Sequence, residues 1–266
     1  MSQKPVTLQI EQGVARITLN RPESLNAVDG EMALELARLC RAVADDETVR
    51  CVLLDAAGPS FMAGGDIRGF QRLLGLPESE RERQLDTLID AVSSAVTALR
   101  GMPKPVLGAV RGAAAGFGLS LACACDLLIV ADNARFMLAY CQLGTSPDGG
   151  GSFTLPRLVG TRRALAMALL GDTLSAEEAL TLGLATRVVP EAELDRTAAA
   201  MATSLATQAT RALGNAKRLI HQSEDNDWMA QLAAEKRSFV ALSGSRDFAE
   251  GVAAFIAKRK PDFTGE

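Results

Sequence analysis

Apolar and polar positions alternate at the start of the chain and then take on helical spacing. Apolar residues alternate or cluster in 6–10 and 14–20 around Gln12 and Gly13, which predicts a β-hairpin. Asp29 can cap the helix that follows. The apolar positions of this helix share one face: Met32, Leu36, Leu39, Cys40 and Val43.

The middle of the chain predicts further strands that alternate with helices. A continuous apolar run at 49–55 indicates a buried strand, and 105–110 indicates another. The loop at 56–65 leads into a helix at Asp66. A longer helix precedes the strand at 105–110, with apolar positions on one face: Leu85, Leu88, Ile89, Val92, Val96 and Leu99.

The last third of the chain is predicted to be mostly helical. Helical patterns run through 162–170, 175–182 and 191–206, and two closing helices carry large apolar residues. These residues are Trp228, Leu232 and Phe239, then Phe248, Val252, Phe255 and Ile256. Strands that alternate with helices and then give way to helices indicate an α/β core with a helical C-terminal appendage.

Composition and charge are those of an ordinary globular chain. The 266 residues are 48% hydrophobic and 23% charged, which excludes a largely disordered protein. The net charge of −4 gives no long-range attraction to nucleic acid or to an anionic membrane, and no apolar run has the length of a membrane span. Because the N-terminus shows no signal peptide and the 5 cysteines are an odd number, we expect a cytoplasmic protein with reduced thiols.

Metal and histidine-based chemistry find little support in the sequence. Cys123 and Cys125 are too close for the usual zinc spacing and have no second pair, so we expect no metal site. His221 is the only histidine, so a Ser-His-Asp or Cys-His mechanism would have to use it. We interpret it as a surface or packing residue.

Two glycine-rich stretches stand at predicted strand-to-helix junctions, Gly64-Gly65-Asp66 and Gly116-Phe117-Gly118. Each can be a turn that requires positive φ, with Asp66 as a helix N-cap in the first case. Each can also present a backbone N–H to a ligand, because the start of a helix leaves N–H groups without partners. For either junction alone the turn is the simpler interpretation, but two such junctions in one α/β chain give the second interpretation more interest, since an oxyanion hole needs two converging N–H donors.

A third glycine-rich stretch, residues 144–152, carries one acid, Asp148. It has the length of a phosphate-binding loop but lacks the lysine after the second glycine, which argues against that role. Asp148 is therefore either the N-cap of a following helix or a carboxylate at the mouth of a pocket.

Five motifs, in order along nearly the whole chain, resemble those of the enoyl-CoA hydratase/isomerase family, the crotonase superfamily. The motifs are residues 17–22 with Asn26 and Ala27, then 61–67, 112–126, 155–160, and 250–255 with 258–261. The resemblance implies an α/β fold with a spiral core of ββα units at 1–195 and a helical trimerisation region at 196–266. It also implies an acyl-CoA thioester substrate, with coenzyme A as part of the substrate and no separate cofactor.

By motif position, the resemblance assigns two N–H donors and a set of binding residues. Gly65 and Phe117 would hold the thioester oxygen, whereas pantetheine and adenine would lie along the Ala27 loop and residues 63–66. The binding residues that it implies are Ala27, Ala63, Gly64, Asp66, Ile67 and Tyr140.

The resemblance also implies a homotrimer or a hexamer formed from two trimers. Phe255 and Lys258 match positions that, in trimers of the family, reach the acyl pocket and the CoA phosphate of a neighbouring subunit. For Lys258, a solvated helix end is an equally good interpretation. We expect no nucleic-acid or membrane partner.

The position of the acids favours isomerisation over hydration. Family hydratases carry two glutamates, but Ser120 and Tyr140 stand at those positions, and a tyrosine with a pKa of about 10 is a poor general base. Asp148 matches the acid of the Δ3,Δ2-enoyl-CoA and dienoyl-CoA isomerases, which implies that it moves a proton beside the thioester. Because a free aspartate has a pKa of about 3.9, this role needs apolar burial. The expected walls are Phe117, Leu119 and Met137.

Other functions stay open at this point. Within the family, the alternatives are an enoyl-CoA hydratase and a ring-type isomerase of aryl-acetyl-CoA (phenylacetate) breakdown. Outside it, the alternatives are a CoA-binding protein without chemistry and an RNA-associated relative, although the acidic balance and single tryptophan give no basic, aromatic-rich surface. The acyl chain is undetermined, because pocket size depends on Leu73, Leu74, Leu76 and the segment 75–82.

Overall fold

The computed structural model describes residues 4–266, in which two β-sheets are surrounded by helices. The strands are β1 Val6–Glu11, β2 Val14–Leu19, β3 Cys51–Ala56, β4 Val106–Val110, β5 Ala113–Ala115, β6 Leu127–Ala131, β7 Arg135–Met137, β8 Thr173–Ser175 and β9 Arg187–Val189. The helices are α1 Gly30–Asp45, α2 Ile67–Leu73, α3 Glu78–Gly101, α4 Phe117–Cys123, α5 Gly151–Val159, α6 Thr161–Leu169, α7 Ala176–Thr181, α8 Leu194–Ala206, α9 Thr210–Gln222, α10 Trp228–Leu242 and α11 Arg246–Ile256.

The larger sheet begins with the predicted hairpin and continues with parallel strands. Its order is β1-β2-β3-β4-β6-β9, and β5, β7 and β8 form the smaller sheet. β1 and β2 pair antiparallel, with Val6 opposite Leu19. Gln12 and Gly13 turn the chain with φ of 50° and 77°, a left-handed conformation that glycine adopts at low cost. The hairpin prediction is confirmed.

The parallel strands are buried on both faces, which explains their continuous apolar runs in the sequence. In β3, Val52 packs in the cluster that includes residues of α1 and α3, whereas Leu53 packs with α8 on the opposite face. The cap of α1 is also as predicted, since the Asp29 carboxylate accepts a hydrogen bond of 2.9 Å from the Met32 amide.

Short bridges hold three loops side by side near the carboxyl ends of β3 and β4. Val28 pairs with Gly65, and Met62 pairs with Ala114 of β5. β5 lies parallel to β7, which lies antiparallel to β8. These pairs build the smaller sheet against the ends of the larger one and bring the predicted glycine-rich junctions together.

Helices close the chain as predicted, with one more helix than the sequence pattern indicated. Helix α9 was not predicted because its buried positions are Thr210 and Gly214 rather than large apolar residues. Strand β6 was also not predicted, and the three-residue strands were missed because they are too short to show alternation. Helix α8 crosses the predicted division between residues 195 and 196, and its Leu194 and Ala198 pack under the larger sheet. That division stays a prediction.

Helices α10 and α11 expose apolar side chains in the single chain. The exposed fractions of Trp228 and Phe255 are 73% and 86%. Phe239 and Phe248 meet edge to face, with ring centroids 6.3 Å apart. The predicted trimer or hexamer would cover such a surface, and it stays a prediction.

The cysteines are free thiols with different exposure. Cys40, Cys51 and Cys123 are buried, and burial raises the pKa of each thiol to about 12. Cys141 is exposed at the surface. In residues 4–266, the structure has no group of three or more histidine, cysteine or acidic side chains that could hold a metal ion. No helix in this part of the chain is long and apolar enough to cross a membrane.

Asn26 links the loop after β2 to the loop after β3. It is fully buried, with φ of 55°. Its Oδ1 accepts a hydrogen bond of 2.8 Å from the Arg21 amide, and its Nδ2 donates bonds of 2.9 Å to the carbonyls of Ala57 and Ser60. One side chain therefore satisfies three backbone groups that have little access to water.

The substitution Asn26→Ala should lower the free energy of unfolding by about 2–4 kcal/mol. The reason is that three buried or partly buried backbone groups lose their partner and alanine tolerates positive φ less well than asparagine. Urea denaturation of the purified protein measures the change. As a control, Asn133→Ala removes a single exposed hydrogen bond to the Gly112 amide and should cost under about 1 kcal/mol. Equal losses in the two variants would contradict the prediction.

Candidate active site

A cavity of about 910 Å³ lies where the three bridged loops meet α2 and α3. Its wall is mostly apolar: Val28, Ile67, Phe70, Leu73, Leu74, Leu85, Leu88, Ile89, Val92 and Met137. Within residues 4–266, the charged residues that line it are Arg81 and Asp148. An apolar cavity with few polar groups is the usual form of a small-molecule site.

The two predicted glycine-rich junctions form one wall of this cavity. Gly64 and Gly116 have φ of 96° and 52°, and a Cβ placed on Gly116 would lie 3.5 Å from the Cα of Gly64. Gly118 has no room for a side chain, because a Cβ there would lie 2.5 Å from the carbonyl oxygen of Met62. Glycine is thus required for both the backbone conformation and the close contact of the two loops.

The contact brings two backbone amides to the same cavity. Gly65 and Phe117 both line it, and in the described chain neither amide donates a hydrogen bond to a protein acceptor. Two neighbouring amides are occupied: the Gly116 amide bonds to the Met137 carbonyl at 3.0 Å, and the Asp66 amide bonds to the Val28 carbonyl at 2.9 Å. The amides of Gly65 and Phe117 are therefore available for a ligand oxygen, as is the amide of Gly64, which also lines the cavity and has no acceptor within residues 4–266.

Asp148 lines the cavity beside these amides. Its Oδ1 accepts a hydrogen bond of 2.5 Å from the Tyr140 hydroxyl, and its backbone carbonyl accepts one of 2.9 Å from Ser120. Its Oδ2 makes no hydrogen bond with residues 4–266. The alternative role as a helix N-cap is wrong, since Gly150 precedes α5 and no side chain caps that helix.

Burial changes the acidity of this site. It raises the pKa of the Asp148 carboxyl, and the Tyr140 hydrogen bond partly opposes that change. For Tyr140, burial and then the Asp148 carboxylate raise the phenol pKa above its usual value. Tyr140 is therefore a hydrogen-bond donor at neutral pH and not a base.

Ser120 and Tyr140 form a hydrogen-bonded group with Asp148 that sequence reasoning missed. Both are buried, with Ser120 Oγ and the Tyr140 hydroxyl 3.2 Å apart. In the sequence both positions were noted for lacking the glutamates of hydratases, and Tyr140 also as an implied binding residue, but neither was linked to Asp148. The spacing of Tyr140 and Asp148, eight residues apart across an irregular segment, carries no periodic signal.

Some of the other predicted binding residues line the cavity and some do not. Ala63, Gly64, Ile67 and Tyr140 line the cavity, as Gly65 does. Ala27 and Asp66 are half-buried next to lining residues but do not line it themselves.

Asp66 does not cap α2 with its side chain, so that alternative is wrong; its carboxylate lies 3.7 Å from Arg72 Nη2. Phe255 and Lys258 are exposed and lie outside this cavity in the single chain, and a role in a neighbouring subunit stays a prediction.

Two expected pocket residues are absent from the wall. Leu119 is fully buried in the core, because the first turn of α4 directs Phe117 and not Leu119 to the cavity. Leu76 also does not line the cavity, whereas Leu73 and Leu74 do. His221 is half-buried elsewhere, with its Nε2 3.7 Å from the Asp126 carboxylate, in agreement with a packing role.

The fold is that of the crotonase-type structures to which the chain is similar, and comparison with known proteins also gives its family. The sequence model described as enoyl-CoA hydratase/isomerase matches residues 9–266. The chain therefore belongs to the enoyl-CoA hydratase/isomerase family, whose members act on acyl-CoA thioesters.

Similar proteins in this family carry different activities in their names. The 1,2-epoxyphenylacetyl-CoA isomerase of Escherichia coli is 42% identical over 97% of both chains. The trans-2-decenoyl-[acyl-carrier-protein] isomerase of Streptococcus mutans is 32% identical over 100% of both. A crystal structure of an enoyl-CoA hydratase from Polaromonas is 33% identical, with a TM-score of 0.90 over 97% of this chain and 99% of that one.

The backbone conformation of Gly116 predicts a large effect of one methyl group. Gly116→Ala should lower the free energy of unfolding by about 2–3 kcal/mol, because alanine strongly disfavours φ of 52° with ψ of −123°. The control Gly144→Ala places a methyl group in open space at φ of 72° and ψ of 25°, which should cost about 1 kcal/mol. Thermal and urea unfolding measure both variants. A Gly116→Ala protein as stable as Gly144→Ala would refute the argument.

Proposed function

We propose that this enzyme moves a double bond from the Δ3 to the Δ2 position of an enoyl-CoA thioester through an enolate. The observation that carries the proposal is that Asp148 is the one carboxylate among the residues that line the cavity within 4–266. The amides of Gly65 and Phe117 are the proposed oxyanion hole. Each well-placed donor of this kind contributes about 2.7–4 kcal/mol in enzymes where it has been measured.

The proposed chemistry needs only one base. Ionised Asp148 removes a proton from the carbon beside the thioester, and the two amides stabilise the negative charge that develops on the thioester oxygen. The same carboxyl then returns the proton two carbons along, on the same face of the substrate. Burial supports this role, because a raised pKa makes the carboxylate a stronger base.

Hydration is less well supported by the same residues. Addition of water to a conjugated double bond uses one group to activate water and another to supply a proton, as the two glutamates of family hydratases do. Here Ser120 and Tyr140 stand at those positions, and Tyr140 stays protonated because its pKa is raised. We therefore expect weak hydratase activity or none.

A second candidate is isomerisation of an aryl-acetyl-CoA derivative with a strained ring. The similarity to the 1,2-epoxyphenylacetyl-CoA isomerase of Escherichia coli, at 42% identity over 97% of each chain, supports it. Phe70, Phe117 and Met137 in the cavity wall suit an aromatic group as well as an aliphatic chain. Initial rates with 3-enoyl-, 2-enoyl- and epoxyphenylacetyl-CoA esters distinguish the candidates, and loss of crotonyl-CoA absorbance reports hydration.

Replacing Asp148 with asparagine should lower kcat for 3-enoyl-CoA isomerisation by about 10²–10⁴-fold, because the proton acceptor is lost. Acyl-CoA binding should persist, since the apolar wall and both amides remain, and isothermal titration calorimetry with a saturated acyl-CoA measures it. The control Asp90→Asn changes an exposed carboxylate on α3 and should leave kcat unchanged. Undiminished turnover by Asp148→Asn would exclude Asp148 as the base.

The pH dependence of kcat/KM should show an acid limb set by Asp148. The group is active when ionised, so activity is present above its pKa and is lost as the pH falls through it. Because burial raises this pKa, the midpoint should lie above about 3.9, the value for a free aspartate. Stopped-flow rates between acid and neutral pH test this. A rate that rises toward acid instead would indicate a protonated group in the base's place.

A further inference from the structure

The Tyr140 hydroxyl gives the two oxygens of Asp148 different surroundings. It lies 2.5 Å from Oδ1 and 3.2 Å from Ser120 Oγ, so its single proton can be donated to one of them. Ser120 Oγ in turn donates to the Asp148 backbone carbonyl at 2.9 Å. A carboxylate is the stronger acceptor, which directs the tyrosine proton to Oδ1. Oδ2 has no partner in the described residues.

We propose that Tyr140 is a positioning residue that occupies Oδ1 of Asp148, so that Oδ2 alone removes and returns the substrate proton. This inference rests on the proposed isomerase function and adds to it a reason for transfer on one face. Without the tyrosine, rotation of the carboxylate would exchange its two oxygens. With it, the proton is taken up and released by a single oxygen atom at a fixed place.

The proton transfer balances without another reactant. Oδ2 forms a bond to the proton of C2, and the C2–H electron pair forms the C1–C2 double bond while the thioester C=O pair moves onto oxygen. In the second step the C=O bond reforms and the C1–C2 pair becomes the C2–C3 double bond. The former C3–C4 pair takes the proton from Oδ2 to form C4–H. Tyr140 keeps its own proton throughout.

Few other groups can affect the charge of Asp148. Arg81 of α3 is the other charged residue that lines the cavity in the described chain. The lining residues of α2 are Ile67, Phe70 and Leu73, and α4 contributes Phe117; none of these titrates. Tyr140 is therefore the nearest titratable neighbour whose removal should be visible in the ionisation of Asp148.

The substitution Tyr140→Phe keeps the ring and removes the hydroxyl. Because the hydrogen bond to Oδ1 favours the ionised form, the acid limb of kcat/KM should move up by about 1 pH unit. Loss of a fixed carboxylate should lower kcat about tenfold while KM changes little. A merely structural role would change stability without moving the acid limb.

A matched variant, Ser120→Ala, removes a hydrogen bond of the same group without touching the carboxylate. Its acid limb should stay within about 0.3 pH unit of the native enzyme, because Tyr140 still donates to Oδ1. Thermal unfolding of both variants reports whether they fold. An acid limb that stays in place in Tyr140→Phe, or moves equally in Ser120→Ala, overturns the inference.

A second measurement does not depend on activity. Tyr140 is the only tyrosine, so fluorotyrosine incorporation gives one fluorine NMR signal. This signal should titrate with the carboxyl of Asp148 in the native protein, and the titration should disappear in Asp148→Asn. A flat fluorine titration in the native protein overturns the inference. If the titration appears but 3-enoyl-CoA is not isomerised, the hydrogen bond stands and the proposed function fails.

Discussion

The contact between the loop after β3 and the turn after β5 is the constraint on which the site depends. The turn approaches so closely that Gly118 lies against the Met62 carbonyl and leaves no space for a methyl group. The bridge between Met62 and Ala114 fixes the register of the two segments. As a result, the amides of Gly65 and Phe117, which have no protein acceptors within residues 4–266, line the same cavity.

The rest of the cavity wall is mostly apolar and contains the acid Asp148. Leucines and isoleucines of α2 and α3 line this wall, and burial of Asp148 in the cavity raises the pKa of its carboxyl. Tyr140 donates a hydrogen bond to Oδ1 of Asp148, and Ser120 donates one to its backbone carbonyl. Both bonds offset the cost of burying these polar atoms. The backbone amides and the acid thus come from different parts of the chain but share one low-dielectric space, in which electrostatic interactions are strong.

Local patterns predicted the fold well where the elements were long. The hairpin, the Asp29 cap and the buried strand at β3 each follow from alternation, capping or a continuous apolar run. The three-residue strands and α9 do not, because their pairing and packing are set by contacts with distant segments. In the site, motif position indicated Gly65, Phe117 and Asp148. The expectation that Leu119 lines the pocket was wrong, because this side chain faces the core. The hydrogen bond from Tyr140 to Asp148 depends on side-chain direction in an irregular segment, which no spacing rule describes.

The protein has one tyrosine and one tryptophan, and their optical signals report on different parts of the structure. The sole tyrosine is buried beside Asp148, whereas the sole tryptophan, Trp228, is 73% exposed on α10. Intrinsic fluorescence therefore observes the C-terminal helices, and tyrosine absorbance observes only the cavity. Because the pKa of Tyr140 is raised, its phenolate band should emerge on alkaline titration only when the cavity wall opens. The phenolate absorbance of Tyr140 during an alkaline titration thus reports the local unfolding of the cavity wall.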